Sequence, residues 1–344
     1  MREAKTVKRD RAIRKGMEFI YRLACDSQHF ADYGSDLLNC FYFISATSSD
    51  AWLRRMARQM GKERALAWRR AYPALQRKAG ADDIADLMHG AYAATRFGVD
   101  CANLKAGLKR AATRFKASDY LWFDADVEPP PSDIPEACEC GASNPRGRKA
   151  CRKCRQYLPV MSRYWVFMDA LVRAYTGERY GVPLGASYAS VIKWLPLMRP
   201  YRNLEGGSNH EFYEQIYAVT HVVYTLNDYS VYRLSPKWLP QEYEFLKTAL
   251  AEMIRMNDAE TTGEIMDSLR AFGLTSRHTL IRTGVDYLLT EQNEDGSWGD
   301  LETEDIYQRY HPTWTAIDGL REYRWRGERI SFPKLMPLLK AMSG

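Results

Sequence analysis

Apolar residues three and four positions apart recur in segments of 12 to 20 residues along the whole chain, and alternating, strand-like patterns are scarce. That periodicity predicts an all-α protein. Three segments share a local pattern: MDALVRAY at 168–175, MDSLRAF at 266–272 and IDGLREY at 317–323. Their aspartates, Asp169, Asp267 and Asp318, lie 98 and 51 residues apart, which predicts a unit of about fifty residues with one further unit between the first two. YAVTHVVYTLNDY, 217–229, fills that gap, while DLLNCFYFISA at 36–46 and IADLMHGAYAATRFG at 84–98 extend the series towards the N-terminus.

Each unit reads as a helix rich in aromatic and small residues followed by a more charged helix, an αα-hairpin. An apolar inner helix covered by an amphipathic outer one is how a closed ring of hairpins buries its core. The predicted architecture is therefore an all-α (α/α) toroid of about six helical hairpins. An open solenoid competes, but neither end shows a polar capping repeat.

The periodicity fails once, over DADVEPPPSDIPEACECGASNPRGRKACRKCRQYLP at 124–159, where prolines, glycines, serines and asparagine exclude helix. The chain divides accordingly into an N-terminal helix with the first hairpins (1–123), a Pro-rich linker with a small insert (124–159) and the remaining hairpins (160–344). In the insert Cys138, Cys140, Cys151 and Cys154 stand in CxC, ten residues, CxxC order. Two thiolate pairs joined by a short loop can close a tetrahedron, and an all-sulfur set predicts a structural Zn²⁺ site; two independent dithiols are the alternative. Arg146, Arg148, Lys149, Arg152, Lys153 and Arg155 give the same loop a cationic face able to meet nucleic-acid phosphates or a protein, or else the metal simply staples a loop that lacks a core.

Composition adds two points. With 46% hydrophobic and 27% charged residues the chain is of the globular class, and its 22 Tyr, 12 Phe and 9 Trp exceed what a core requires, so some rings are expected to line a cavity. The net charge of +6 is mild for 344 residues and points only weakly to a polyanionic partner. No apolar run is long enough for a transmembrane segment, the basic N-terminus has no apolar stretch of the secretory kind, and four of seven cysteines sit in metal-ligand spacing. A cytoplasmic location is expected.

The segment YLLTEQNEDGSWGD, 287–300, places Tyr287, Leu288, Gln292, Gly296 and Trp298 in the order aromatic, aliphatic, Gln, Gly, Trp. This resembles the QW repeat motif of the squalene-cyclase and prenyltransferase-like toroid superfamily, and Thr313, Trp314, Thr315 and Ala316 resemble the inner helix that follows it. Physically the motif is punctuation: Gln292 can satisfy backbone groups at a helix end, Trp298 packs across the turn and Gly296 permits the reversal. The resemblance implies the fold and an isoprenoid-like substrate. It does not imply class II cyclisation, because D-x-D-D is absent and the nearest string, DADVE at 124–128, lies in the insert. The protein prenyltransferases of that superfamily hold catalytic zinc with Asp, Cys and a His opening an inner helix; Tyr310 and His311 match the last position, with no Asp-x-Cys partner.

Histidines supply the remaining candidate chemistry. His89, His221 and His311 fall on predicted inner helices and His210 starts one, while Glu214, His221 and Asp228 recur every seven residues and are expected on one face. A His/Glu/His set drawn from His221, Glu214 and His311 can hold a second, catalytic Zn²⁺ or Fe²⁺, with Asp228 or Glu214 orienting an imidazole; core hydrogen-bonding histidines are the alternative. Asp169, Asp267 and Asp318 read as residues that cap or bridge helices. His29 and His278 read as surface or helix-start residues, and Cys25, Cys40 and Cys101 as small apolar packing. Two functions follow: an enzyme acting on an apolar or isoprenoid-like small molecule in an aromatic cavity, or a nucleic-acid- or protein-binding module that uses the basic insert.

Overall fold

A computed structural model describes residues 2–203 and 209–342, and the described chain is mostly helical with almost no strand. In chain order the helices are α1 (Arg2–Cys25), α2 (Ser27–Thr47), α3 (Ala51–Ala71), α4 (Ala81–Arg96), α5 (Ala102–Ala112), α6 (Ala117–Leu121), α7 (Arg163–Tyr180), α8 (Tyr188–Ile192), α9 (Asn209–Leu226), α10 (Pro240–Arg255), α11 (Ala259–Ala271), α12 (Thr279–Thr290), α13 (Tyr307–Leu320) and α14 (Met336–Met342). Side-chain oxygens of Asp26, Ser162 and Asp258 accept the first free N–H groups of α2, α7 and α11, so three of the starts are written in the sequence as N-caps. None of the described helices is long and apolar enough to cross a membrane.

The six aromatic-rich segments named above form one series of packed helices. α2 packs on α4, α4 on α7, α7 on α9, α9 on α11 and α11 on α13. From α13 the series returns to α2: Tyr310 donates its hydroxyl to Asp36 Oδ2 (2.7 Å), and the Arg321 guanidinium donates to Thr47 Oγ1 (2.9 Å) and Ser48 Oγ (3.2 Å). A second, more amphipathic set backs these helices, with α3 on α2, α5 on α4, α10 and α12 on α11, and α1 on both α2 and α13. In α3 the sequence shows why: Leu53, Ala57, Gly61, Ala65 and Trp68 are buried at helical spacing while Arg55, Arg58, Lys62 and Arg70 stay in water.

Helix α11 is the exception to amphipathic patterning. Every residue of AETTGEIMDSLRA except Glu260 is buried, so the helix is surrounded by protein and its small residues allow close approach. A Cβ on Gly263 would lie 2.3 Å from the Thr315 carbonyl oxygen, so α11 and α13 touch backbone to backbone there.

The turn after α12 divides its labour differently from expectation. Trp298, fully buried, donates its indole N–H to Leu288 O (2.8 Å) in the last turn of α12, so tryptophan rather than glutamine satisfies that helix end. Gln292 instead donates to Gly296 O (3.0 Å) and across to Ala12 O in the middle of α1 (2.9 Å). Gly296 has φ +93, and a Cβ there would meet Lys15 O at 2.6 Å, so the turn requires glycine both for conformation and for room against α1. Between α6 and α7 the insert is non-helical, closed at its base by β1 (Ile134–Pro135) pairing antiparallel with β2 (Val160–Met161).

Candidate functional site: a central cavity and a four-cysteine cluster

A cavity of about 650 Å³ lies among the six helices of the inner series, and each contributes a face at i, i+3/i+4, i+7 spacing. α2 supplies Asp36 and Phe43, α4 Asp86 and His89, and α7 Trp165, Asp169 and Val172. From α9 come Tyr217, His221 and Tyr224; from α11 Glu260, Glu264 and Asp267; from α13 Tyr307, His311, Trp314 and Asp318. Two predicted site residues, His221 and His311, therefore share one chamber.

Their surroundings drive the two imidazoles apart. Burial pushes His221 down to about 4, and its Nδ1 lies 2.8 Å from Tyr217 O; a carbonyl only accepts, so Nδ1 carries the proton and Nε2 keeps a free lone pair. Burial opposes charge on His311 too, but Glu260, Glu264 and Asp36 outweigh it and raise that imidazole to about 9. His311 Nδ1 is 2.9 Å from Glu260 Oε1, an ion pair whose N–H direction falls off the line of a good hydrogen bond, and the ring stacks on Tyr307 with centroids 5.0 Å apart. Burial would raise Glu260 as well, yet His311 and the Tyr217 hydroxyl (2.7 Å) hold its carboxyl below the usual value. Glu264 receives the Thr220 hydroxyl (2.7 Å), and burial raises it to about 7.

Glu260 and Glu264 were not among the residues singled out from sequence. Their signal is present: carboxylates at 260, 264 and 267 share one face of a helix otherwise built of Thr, Gly, Ser and apolar residues. On α9 the stripe expected to carry Glu214, His221 and Asp228 is displaced along the helix. His221 faces the cavity together with Tyr217 and Tyr224, whereas Glu214 lies two turns nearer the N-terminus in an adjoining cavity, its Oε2 3.2 Å from His210 Nδ1. Asp228 does not belong to the stripe, because α9 ends at Leu226 and Asp228 has φ 60. It accepts from Tyr175 Oη (2.5 Å) and Arg179 Nη2 (2.9 Å), a structural ion pair outside the cavity.

The three repeated aspartates all line the cavity; Asp267 bonds beyond its own helix, whereas Asp169 and Asp318 pair with arginines on or at the end of theirs. Asp169 pairs with Arg173 (2.6 Å), Asp318 with Arg321 (2.5 Å), and Asp267 accepts the Ser230 hydroxyl (2.8 Å). Burial and the neighbouring Asp318 push Asp267 to about 7. His278 caps α12 as a helix-start residue, Cys40 and Cys101 are buried, and Cys25 is exposed rather than packed.

In the insert the ligand atoms of Cys138, Cys140, Cys151 and Cys154 all lie within 4.8 Å of one another, and the four can hold a metal ion. Cys138 and Cys154 sulfurs are 3.4 Å apart and those of Cys140 and Cys151 3.6 Å, close to the edge of about 3.8 Å that a tetrahedron of 2.3 Å metal–sulfur bonds requires. Backbone N–H groups of Cys154 and Lys153 turn towards Cys151 and lower its thiol to about 5, which favours the thiolate a metal needs. Among the described residues this is the only group of three or more such side chains that comes together; His221, His311 and Glu214 do not form a second one. Arg148, Lys149, Arg152, Lys153 and Arg155 are exposed around the cluster, while Arg146 is paired with Asp133 and Glu128. No protein family, curated protein or solved structure matches this chain.

Proposed function

We propose that the protein is an enzyme that performs acid–base chemistry on a small amphipathic molecule, isoprenoid-like in its apolar part, inside the central cavity. The observation that carries this is the convergence of His221, His311, Glu260 and Glu264 from three helices on one aromatic-walled chamber. His221 Nε2 is the base, and the His311 imidazolium, held by Glu260, is the acid; two groups of one type with opposite shifts are the usual sign of such a division. Seven carboxyl groups in the lining favour a substrate whose apolar body meets the rings and whose polar end meets the acids, since a bare hydrocarbon leaves buried polar groups without partners.

The helices are read as a closed (α/α) toroid of the squalene-cyclase and prenyltransferase-like kind, supported by the contact series that returns from α13 to α2 and by the Gln292–Trp298 turn. The four cysteines hold one structural Zn²⁺, and free thiols in number favour the reducing cytoplasm. No second metal is needed for the acid–base step.

The test is a product screen by mass spectrometry with isoprenoid alcohols, amines and related amphiphiles, comparing the native protein with His221→Ala and Glu260→Gln. Turnover is expected from the native protein and not from His221→Ala, with Glu260→Gln active only at lower pH and helical content unchanged in both variants. Full turnover by His221→Ala removes the assignment. A second reading, nucleic-acid binding by the insert, is favoured by its five exposed cations; it requires affinity that falls steeply with salt and is lost when Arg148, Lys149 and Arg152 become alanine.

A further inference from the structure

A second cavity, about 680 Å³, adjoins the central one and is built jointly by the insert and the helices. Trp165 and Tyr217 line both chambers and meet edge to face, with centroids 6.3 Å apart and planes at 89°. Trp122 and Tyr213 complete an aromatic wall, Glu214 contributes a buried carboxyl, and Glu136 stands opposite on the insert, two residues before Cys138. Among the described residues Trp165 keeps 38% of its surface exposed, a high value for a tryptophan.

Aromatic faces carry negative electrostatic potential, and rings set around a space beside carboxylates attract an organic cation more than a neutral molecule of the same shape. An inorganic cation gains little from such walls, because it keeps its hydration shell. A methylated ammonium has a weakly hydrated, apolar surface and gains from both rings and charge.

We infer that this outer chamber is a binding site for a methylated or quaternary ammonium group, held by Trp165, Tyr213 and Tyr217 with Glu214 and Glu136. It deepens the proposed function, and rests on it, by making the substrate a molecule with an ammonium at one end and its reacting group beyond Trp165 and Tyr217, near His221. It also gives the cysteine cluster a role, since Glu136 and Ala137 reach the chamber from the strand that leads into Cys138. The metal then holds one wall of the site.

The probe is choline, set against its neutral isostere 3,3-dimethylbutan-1-ol, with binding followed by calorimetry and tryptophan fluorescence on the full chain. Choline is expected to bind at least about tenfold more tightly than the alcohol, in line with a cation–π advantage of about 1–2 kcal/mol. Glu136→Gln, an exposed change that spares the fold, and Trp165→Phe should each weaken choline several-fold and leave the alcohol unaffected. Chelation of the insert metal should lower choline affinity in the same direction. His221→Ala should bind choline normally, so loss of turnover in that variant and loss of ammonium binding are read separately. Equal affinity for choline and the alcohol, no binding of choline, or indifference to Glu136→Gln and Trp165→Phe together overturns the proposal.

Discussion

At the level of single residues, the cavity makes a definite statement about pH. His221 must be neutral and His311 charged for the proposed chemistry, so activity should form a bell with limbs near 4 and near 9. Removing the charge of Glu260 takes away the largest support for the His311 imidazolium, and Glu260→Gln should pull the alkaline limb down towards the ordinary histidine range near 6.5. Stability follows the same group with a fixed sign: a histidine raised from 6.5 to about 9 on folding stabilises fully below 6.5, and that contribution is lost as pH rises to 9. Thermal denaturation across that window should show the native protein losing stability faster than Glu260→Gln; parallel curves would mean that the ion pair is not formed in solution. Trp298→Ala offers a second residue-scale check, because a fully buried ring and its bond to Leu288 O are removed together, at about 3–5 kcal/mol. Trp298 was legible through its resemblance to the QW motif, while Glu260 and Glu264 were not, since a carboxylate on a helix is ordinarily a solvated one and only the burial of α11 on all sides makes these two otherwise.

Among elements, helices and insert differ in what holds them. The long helices were readable because apolar spacing and N-caps act within a few residues of sequence, whereas the end of α9 was not: Asn227 to Ser230 leave the helix through positive φ at Asp228, Tyr229 and Ser230, a conformation fixed by Tyr175, Arg179 and Asp267 from other helices. That is why Asp228 fell off the seven-residue stripe. The insert lacks any comparable packing, for its own small core consists of Cys138, Cys151 and Leu158. A unit of that size would be held by the metal proposed for its four cysteines. Cys151→Ser should release close to one zinc per chain, measured by elemental analysis, and raise proteolytic nicking between 138 and 158 while the helical circular dichroism stays unchanged. Retention of the zinc in that variant would show that the cysteines are not its ligands.

For the whole molecule, the distinction that matters is between a closed ring of hairpins and an open stack. The aromatic-rich helices were legible because their pattern repeats along the chain, but closure of a ring would depend on residues some 270 positions apart and leaves no local pattern. Contacts between the two ends of the series, the seam of such a ring, include Tyr310 to Asp36, Arg321 to Thr47 and Ser48, Gln292 to Ala12, and the backbone bonds from Ser49 N–H to Glu322 O (2.8 Å) and from Arg324 N–H to Thr47 O (2.7 Å). Arg321 is the most telling of them, being buried and paired with Asp318, so Arg321→Ala strands a buried carboxylate and should destabilise by about 3–5 kcal/mol. In an open stack the loss stays near the last unit, since each repeat feels only its neighbours. In a ring it crosses the seam. Hydrogen exchange of Arg321→Ala should therefore show faster exchange in α1 and α2 as well as in α12 and α13, with α7 on the far side least affected. Faster exchange confined to α12 and α13 would favour the open stack, and with it the loss of a single enclosed chamber around His221 and His311.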